Sequence, residues 1–138
     1  MGAESDLDVL LRGMDAELRQ GRYVFCTVPG GSIPDQVEAL ATVLEPEGLS
    51  LVTTQEEADE AGLPYDYVAG WITLRVHSSL HAVGLTAAVS TALAVAGISC
   101  NVVAGYHHDH LLVPLDRAHD ALAELRRLAA AARTPRRP

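Results

Sequence analysis

Apolar positions recur along this chain with two periods, and each period predicts a different element. In residues 6–14, Leu7, Leu10, Leu11 and Met14 fall at helical spacing. Gln20-Gly21 then reads as a turn. Residues 22–28, Arg-Tyr-Val-Phe-Cys-Thr-Val, form a branched and aromatic run that predicts a strand. Residues 29–35 carry two Pro and two Gly and read as a loop. Runs at 39–44 and 49–54 flank Glu45-Pro46-Glu47-Gly48, the pattern of a hairpin, although the first run also suits a helix. Thr54 can cap a short helix over 55–61, with Glu56 and Glu57 in its positive first turn and Gly62 as its stop.

The second half is more regular. Residues 70–76 alternate as a strand, with Trp71, Thr73 and Arg75 on one face and Ile72, Leu74 and Val76 on the other. After a polar loop, residues 82–96 predict an alanine-rich helix with Leu85, Val89, Leu93 and Ala96 on one stripe, ended by Gly97. Strands are expected over 98–104 and 110–114, joined tightly through 105–109. Asp116 is expected to cap a last helix with Ala118, Leu122, Leu125 and Leu128 inward. Residues 70–131 therefore run β-α-β-β-α, five of the six elements of a ferredoxin-like unit. The open sheet edge needs a partner, and the strand at 23–28 is the natural supplier.

Charge narrows the functional classes. The net charge is −8, with fourteen acidic residues against three arginines over 1–66 and four against seven over 67–138. An acidic surface repels phosphate backbones, so no nucleic-acid partner is expected. The arginines at 126, 127, 133, 136 and 137 suit a helix C-terminus and a frayed tail. No apolar run approaches the roughly 18 residues of a membrane span. The acidic N-terminus lacks the pattern of a secretory leader, and two cysteines, Cys26 and Cys100, make no disulfide framework. A cytoplasmic protein without a membrane partner is the expectation.

Residues 72–114, with VHSSLHAVGLTAAVS followed by ISCNVVAGYHHDHLLVP, closely resemble small bacterial ACT-domain proteins, relatives of the paired regulatory modules of aspartate kinases. RYVFCTV and EGLSLVTTQEEADEAGL extend the likeness toward the N-terminus. The resemblance implies an α+β, ferredoxin-like βαββα(β) sandwich of two ACT-like lobes. These are a degenerate lobe over 1–69 and a second over 70–131, with a flexible tail at 132–138. It implies a non-catalytic regulatory or sensing module for a small ligand, an amino acid being the natural class, at a lobe or subunit interface. Val83, Gly84, Leu85, Asn101 and Val102 match the positions that commonly line such a pocket. A homodimer and a separate enzyme or regulator as partner follow from the same likeness. The alternative is a ligand-independent dimerisation or protein–protein module.

The chemistry of the site residues fits either a ligand or a packing role. Gly84 removes a side chain where a carboxylate can approach backbone N–H groups, and equally where a helix packs closely. Asn101 offers a donor and an acceptor to a ligand or to a strand-end hydrogen bond. All six histidines lie in the second half. In His107-His108-Asp109-His110 only His108 and His110 share a face of an extended chain, which argues against a metal, and the family resemblance, which carries a YHHDHL-type turn, implies a structural hairpin instead. His77, Ser78, Ser79 and His81 with Asp109 hold the groups of a nucleophile–base set. They lack any nucleophile-elbow or phosphate-loop motif, and neither catalysis nor a cofactor is expected.

Overall fold

The computed structural model describes residues 6–76 and 82–134. Asp6 opens the first helix, α1 (Leu7–Gly13), by accepting a hydrogen bond from the Val9 amide at 3.2 Å. Six strands follow: β1 (Asp15–Val28), β2 (Ala41–Glu45), β3 (Gly48–Thr54), β4 (Val68–Arg75), β5 (Asn101–Ala104) and β6 (Asp109–Pro114). Three more helices are α2 (Gln55–Ala61), α3 (Leu85–Val95) and α4 (Ala118–Arg133), and short 3-10 turns cover Pro29–Gly31 and Leu115–Arg117. All neighbours in the sheet are antiparallel, in the order β2-β3-β1-β4-β6-β5.

The long first strand makes the two halves one sheet. Residues 15–19 of β1 pair with residues 71–75 of β4, and residues 23–28 pair with β3. The sequence makes 23–28 the most obvious strand to close the second half's sheet; Tyr23 and Val24 do pair with β4, and residues 15–19 of the same strand supply the other pairs. Gln20 and Gly21 do not turn the chain. Arg19 lies opposite Trp71 and Tyr23 opposite Ala69, so β1 spends two more residues than β4 between these pairs. The excess is a bulge, with Gly21 at a φ of 113° and the Tyr23 hydroxyl donating to Gln20 O at 2.5 Å.

Helices cover one face. Ala16, Ile72, Leu74, Leu111 and Val113 meet Leu10, Leu11 and Met14 beside α1, Leu85, Val89 and Leu93 of α3, and Ala121, Leu122 and Leu125 of α4. Each such fully buried branched side chain contributes roughly 1.5–3 kcal/mol. Val24, Cys26, Val28 and Leu51 continue that face and meet Ala58 of α2. Thr54 caps α2 as the sequence predicts, accepting from the Glu57 amide at 3.3 Å, and Gly62 ends it in the left-handed region.

Two helix starts differ from the sequence reading. Gly84, at a φ of 103°, cannot continue a helix, so α3 begins at Leu85 and not at residue 82. Asp116 is not the cap of α4; it sits within the 3-10 turn, and Arg117 occupies the cap position. The Arg117 guanidinium there donates to Asp120 at 3.0 Å and to Ala96 O at 3.2 Å. Helix α4 carries on through Arg133, two residues into the stretch expected as tail. Arg133 donates to Arg12 O at 2.7 Å and Met14 O at 3.3 Å, satisfying carbonyls at the end of α1. Gly70 lets α4 approach β4: a Cβ there would stand 2.8 Å from that of Ala118.

Candidate functional site

The sheet face away from the helices carries most of the chain's aromatic chemistry. Trp71, Thr73 and Arg75 lie there, as their alternation predicts, together with Tyr23, Phe25 and Tyr67. The indole of Trp71 meets Tyr23 edge-on at 5.3 Å and His110 at 5.4 Å. Arg19 places its guanidinium 5.1 Å from the Trp71 ring and 5.4 Å from that of Tyr23. Trp71 Nε1 donates to His110 Nδ1 at 3.2 Å, and Thr73 Oγ1 lies 3.1 Å from the same nitrogen. An indole N–H can only donate, so Nδ1 accepts and the neutral imidazole carries its proton on Nε2. Burial, then the neighbouring His108, push the His110 pKa below the ordinary histidine value.

This face carries a cleft whose lining comes from both edges of the sheet. Val103 of β5, at one edge of the sheet, and Ala41 of β2, at the other, both pack against the cluster of Tyr23, Val52, Ala69, Trp71 and Leu112 and line one cavity. Phe25, Ala41, Val43, Val52 and Val103 wall a cavity of about 340 Å³. Its polar lining comes from Thr42, Ser50 and Glu45, and the Ser50 hydroxyl donates to Glu45. The result is an apolar chamber with a carboxylate on its wall.

Tyr67 stands beside this chamber, its ring 6.0 Å from that of Phe25. Its hydroxyl is buried and makes no hydrogen bond. Burial raises its pKa; the polar groups of Ser99 and Asn101 lie close enough to oppose that shift, without reaching it in hydrogen-bonding geometry. An orphaned buried hydroxyl costs free energy unless something completes it.

The five residues expected to line a pocket are divided between the two faces. Asn101 opens β5 opposite Leu112, on the open face next to Tyr67. Val102 turns the other way and packs on the helical core, where Leu85 is also buried. Gly84 backs onto α1, where a Cβ would stand 3.1 Å from Leu7 Cδ2. Val83 is 83% exposed. Within one chain, then, Gly84 and Leu85 adjoin each other on the helical side and Asn101 stands apart from them. The sequence reading overlooked Tyr67, Phe25 and Val103. The alternation of Tyr23 with Phe25 along one strand, matched by Tyr67 with Trp71 along another, was the available signal, since it places four aromatic rings on one face.

Other candidate chemistry is not assembled. Among the described residues no three His, Cys, Asp or Glu side chains converge as a metal site. The 105–110 turn is closed by the Gly105 amide donating to His108 O at 2.9 Å. Burial pushes the Asp109 carboxyl up, against the opposing effect of His110 and His108. His77, Ser78, Ser79 and His81 lie outside the described residues. Burial raises the pKa of both cysteine thiols, Cys26 and Cys100, which disfavours the reactive thiolate. No described helix is long and apolar enough to cross a membrane.

Comparison with known proteins gives this geometry a family. A protein of unknown function from Vibrio cholerae, described as a possible transport protein, shares 50% identity over 89% of this chain and 95% of its own, with a TM-score of 0.80. A protein from Agrobacterium tumefaciens matches at 18% identity, covering 84% of this chain and 89% of that one, with a TM-score of 0.66. The regulatory subunit of aspartate kinase from Thermus thermophilus shares the fold at 12% identity and a TM-score of 0.57, covering 82% and 95% of the two chains. No curated protein matches. Two ACT domain family models match in succession, over residues 2–70 and 67–127. The chain belongs to the ACT-domain family and carries two such modules in tandem.

Proposed function

We propose that this protein is a non-catalytic regulatory module that binds a small ligand, an amino acid, on the open face of its sheet. The observation that carries this reading is the buried, unpaired Tyr67 hydroxyl next to Asn101, at the side of an apolar chamber with Glu45 on its wall. A hydroxyl and an amide are suited to a carboxylate, a glutamate to an ammonium, and the chamber to an apolar side chain. The fold shared with aspartate kinase regulatory subunits supports a regulatory role.

The helix-side residues Val83, Gly84 and Leu85 enter this reading through a second copy. β5 is an edge strand, so a homodimer that pairs there brings a neighbouring subunit to Asn101. A ligand at that junction shifts the pairing equilibrium only by its differential affinity for the two arrangements. The output passes to a separate enzyme or regulator, and the setting is cytoplasmic. A second reading, a dimerisation module indifferent to ligand, is favoured by the exposed Val83, Val95 and Tyr106.

Isothermal titration and thermal shift with each of the twenty amino acids test the proposal. A ligand at 100 times its Kd adds about 2.7 kcal/mol of stability. Asn101→Ala and Tyr67→Phe are each expected to weaken the hit at least tenfold while the fold persists by circular dichroism. A folded dimer that responds to none of the twenty leaves the ligand-independent module standing instead.

A further inference from the structure

A groove on the helical side of the sheet, remote from the Asn101 cleft, has the makings of a second site. The bulge at Gln20-Gly21 bends β1 beside α4, while Gly70 draws α4 down onto β4. Between them lies a cavity of about 510 Å³. Leu18, Leu115 and Leu122 give it an apolar floor. His119 and Arg126, one turn either side of Leu122 on the same helical stripe, stand over it.

Charge accounting identifies what the groove would hold. Glu17 and Arg19 also line it, but the Glu17 carboxylate pairs with Arg75 and the Arg19 guanidinium stacks on Tyr23 and Trp71. Their charges are thus engaged on the opposite face. Among the described residues no carboxylate pairs with Arg126 or His119. In a chain with eighteen acidic residues and ten basic ones, an arginine without a carboxylate partner among the described residues, at the rim of a groove of mixed polar and apolar lining, is suited to pair with an anion. Gln20 and Gly21, whose backbone has no partner in the register of either neighbouring strand, lie on the same wall, with Gln20 O accepting from the Tyr23 hydroxyl.

We propose that this groove binds a small monocarboxylate with an apolar body, the carboxylate on Arg126 and His119 and the body on Leu18, Leu115 and Leu122. The site is independent of the Asn101 cleft, and free acids and amino acids share the chemistry it recognises. Titration calorimetry of the full chain uses 3-phenylpropanoate, L-phenylalanine and the uncharged 3-phenylpropanamide as probes. The expected result is binding of 3-phenylpropanoate at least tenfold tighter than its amide, weakened tenfold or more by Arg126→Gln and unchanged by Asn101→Ala. Tighter binding of phenylalanine than of 3-phenylpropanoate, still lost in Arg126→Gln, would assign the groove to amino acids. Equal binding of acid and amide, no binding of either acid, or affinity untouched by Arg126→Gln overturns the proposal. Phenylalanine binding lost in Asn101→Ala but retained in Arg126→Gln also overturns it, and leaves the cleft reading standing.

Discussion

Replacing Gly70 by alanine tests how tightly the helical layer is set against the sheet. The new Cβ would stand 2.8 Å from that of Ala118, closer than real Cβ contacts come, and that Cβ is fixed directly to the α4 backbone. No flexible side chain can yield, so the helix start or the strand must move. Overpacking of this kind costs about 1–3 kcal/mol. Gly70 is not among the glycines with positive φ, so alanine should meet no backbone strain there. The loss of unfolded-state freedom then returns about 0.4–1 kcal/mol. The net expectation is a destabilisation of about 0–2.6 kcal/mol, centred at about 1.3 kcal/mol, in urea denaturation. Ala118→Gly alone should cost at most about 1 kcal/mol through lost helix propensity, because Ala118 is the first residue of α4. Combined with Gly70→Ala, however, it removes the clash, so the double variant should be more stable than the sum of the two by more than about 0.5 kcal/mol. Additive effects, or a Gly70→Ala protein more stable than the parent, would refute the argument that close approach selects glycine here.

Three further outcomes follow from named contacts. Tyr67→Phe removes a buried hydroxyl without a partner and should leave the ligand-free protein as stable as the parent or more stable by about 1 kcal/mol; a loss above that amount in urea melts would mean the hydroxyl is satisfied after all. Stability should fall on acidification through the His110 titration, because the folded state holds its pKa below the unfolded value of about 6.5 and protonation would set an N–H against the Trp71 indole N–H. That contribution is complete above the unfolded value and lost as pH falls through the folded one, so His110→Asn should flatten the difference between melts at pH 7.5 and at lower pH. The raised Asp109 pKa works the opposite way, its contribution present at low pH and lost as pH rises through the folded value. Thr54→Ala should cost about 0.5–2 kcal/mol by uncapping α2, measured by the same melts.

Period and local punctuation make most of the elements legible in the sequence. Ile72 and Leu74 lie inward and Trp71 outward as the alternation of their strand requires, and Leu85, Val89 and Leu93 form the buried stripe of α3. Gln20-Gly21 could not be read the same way. A glycine at positive φ serves a turn and a bulge equally, and only the pairing of Arg19 with Trp71 and Tyr23 with Ala69 decides between them. The start of α4 posed a similar problem, since Asp116 has the composition of a cap but a 3-10 turn intervenes.

The same asymmetry governs the candidate site. Asn101 was visible because its side chain carries its own chemistry, whereas the spacing of Tyr67 and Trp71 assigns Tyr67 to a face without marking it as functional. Its significance is relational: the hydroxyl matters because the fold buries it close to Ser99 and Asn101 with no partner in full hydrogen-bonding geometry. Arg126 is likewise an ordinary exposed helical arginine until the bulge, itself invisible in sequence, opens a groove beneath it. Alternation assigns a residue to a face, but it does not say what covers that face. Because the described helices pack on one side, the aromatic residues on the other side are buried by one another and by Val52, Ala69, Leu112 and the apolar side chains beside them on the same face. A face that closes on itself in this way leaves its polar atoms dependent on whatever small molecule or neighbouring strand completes them, which is the physical basis for placing recognition there.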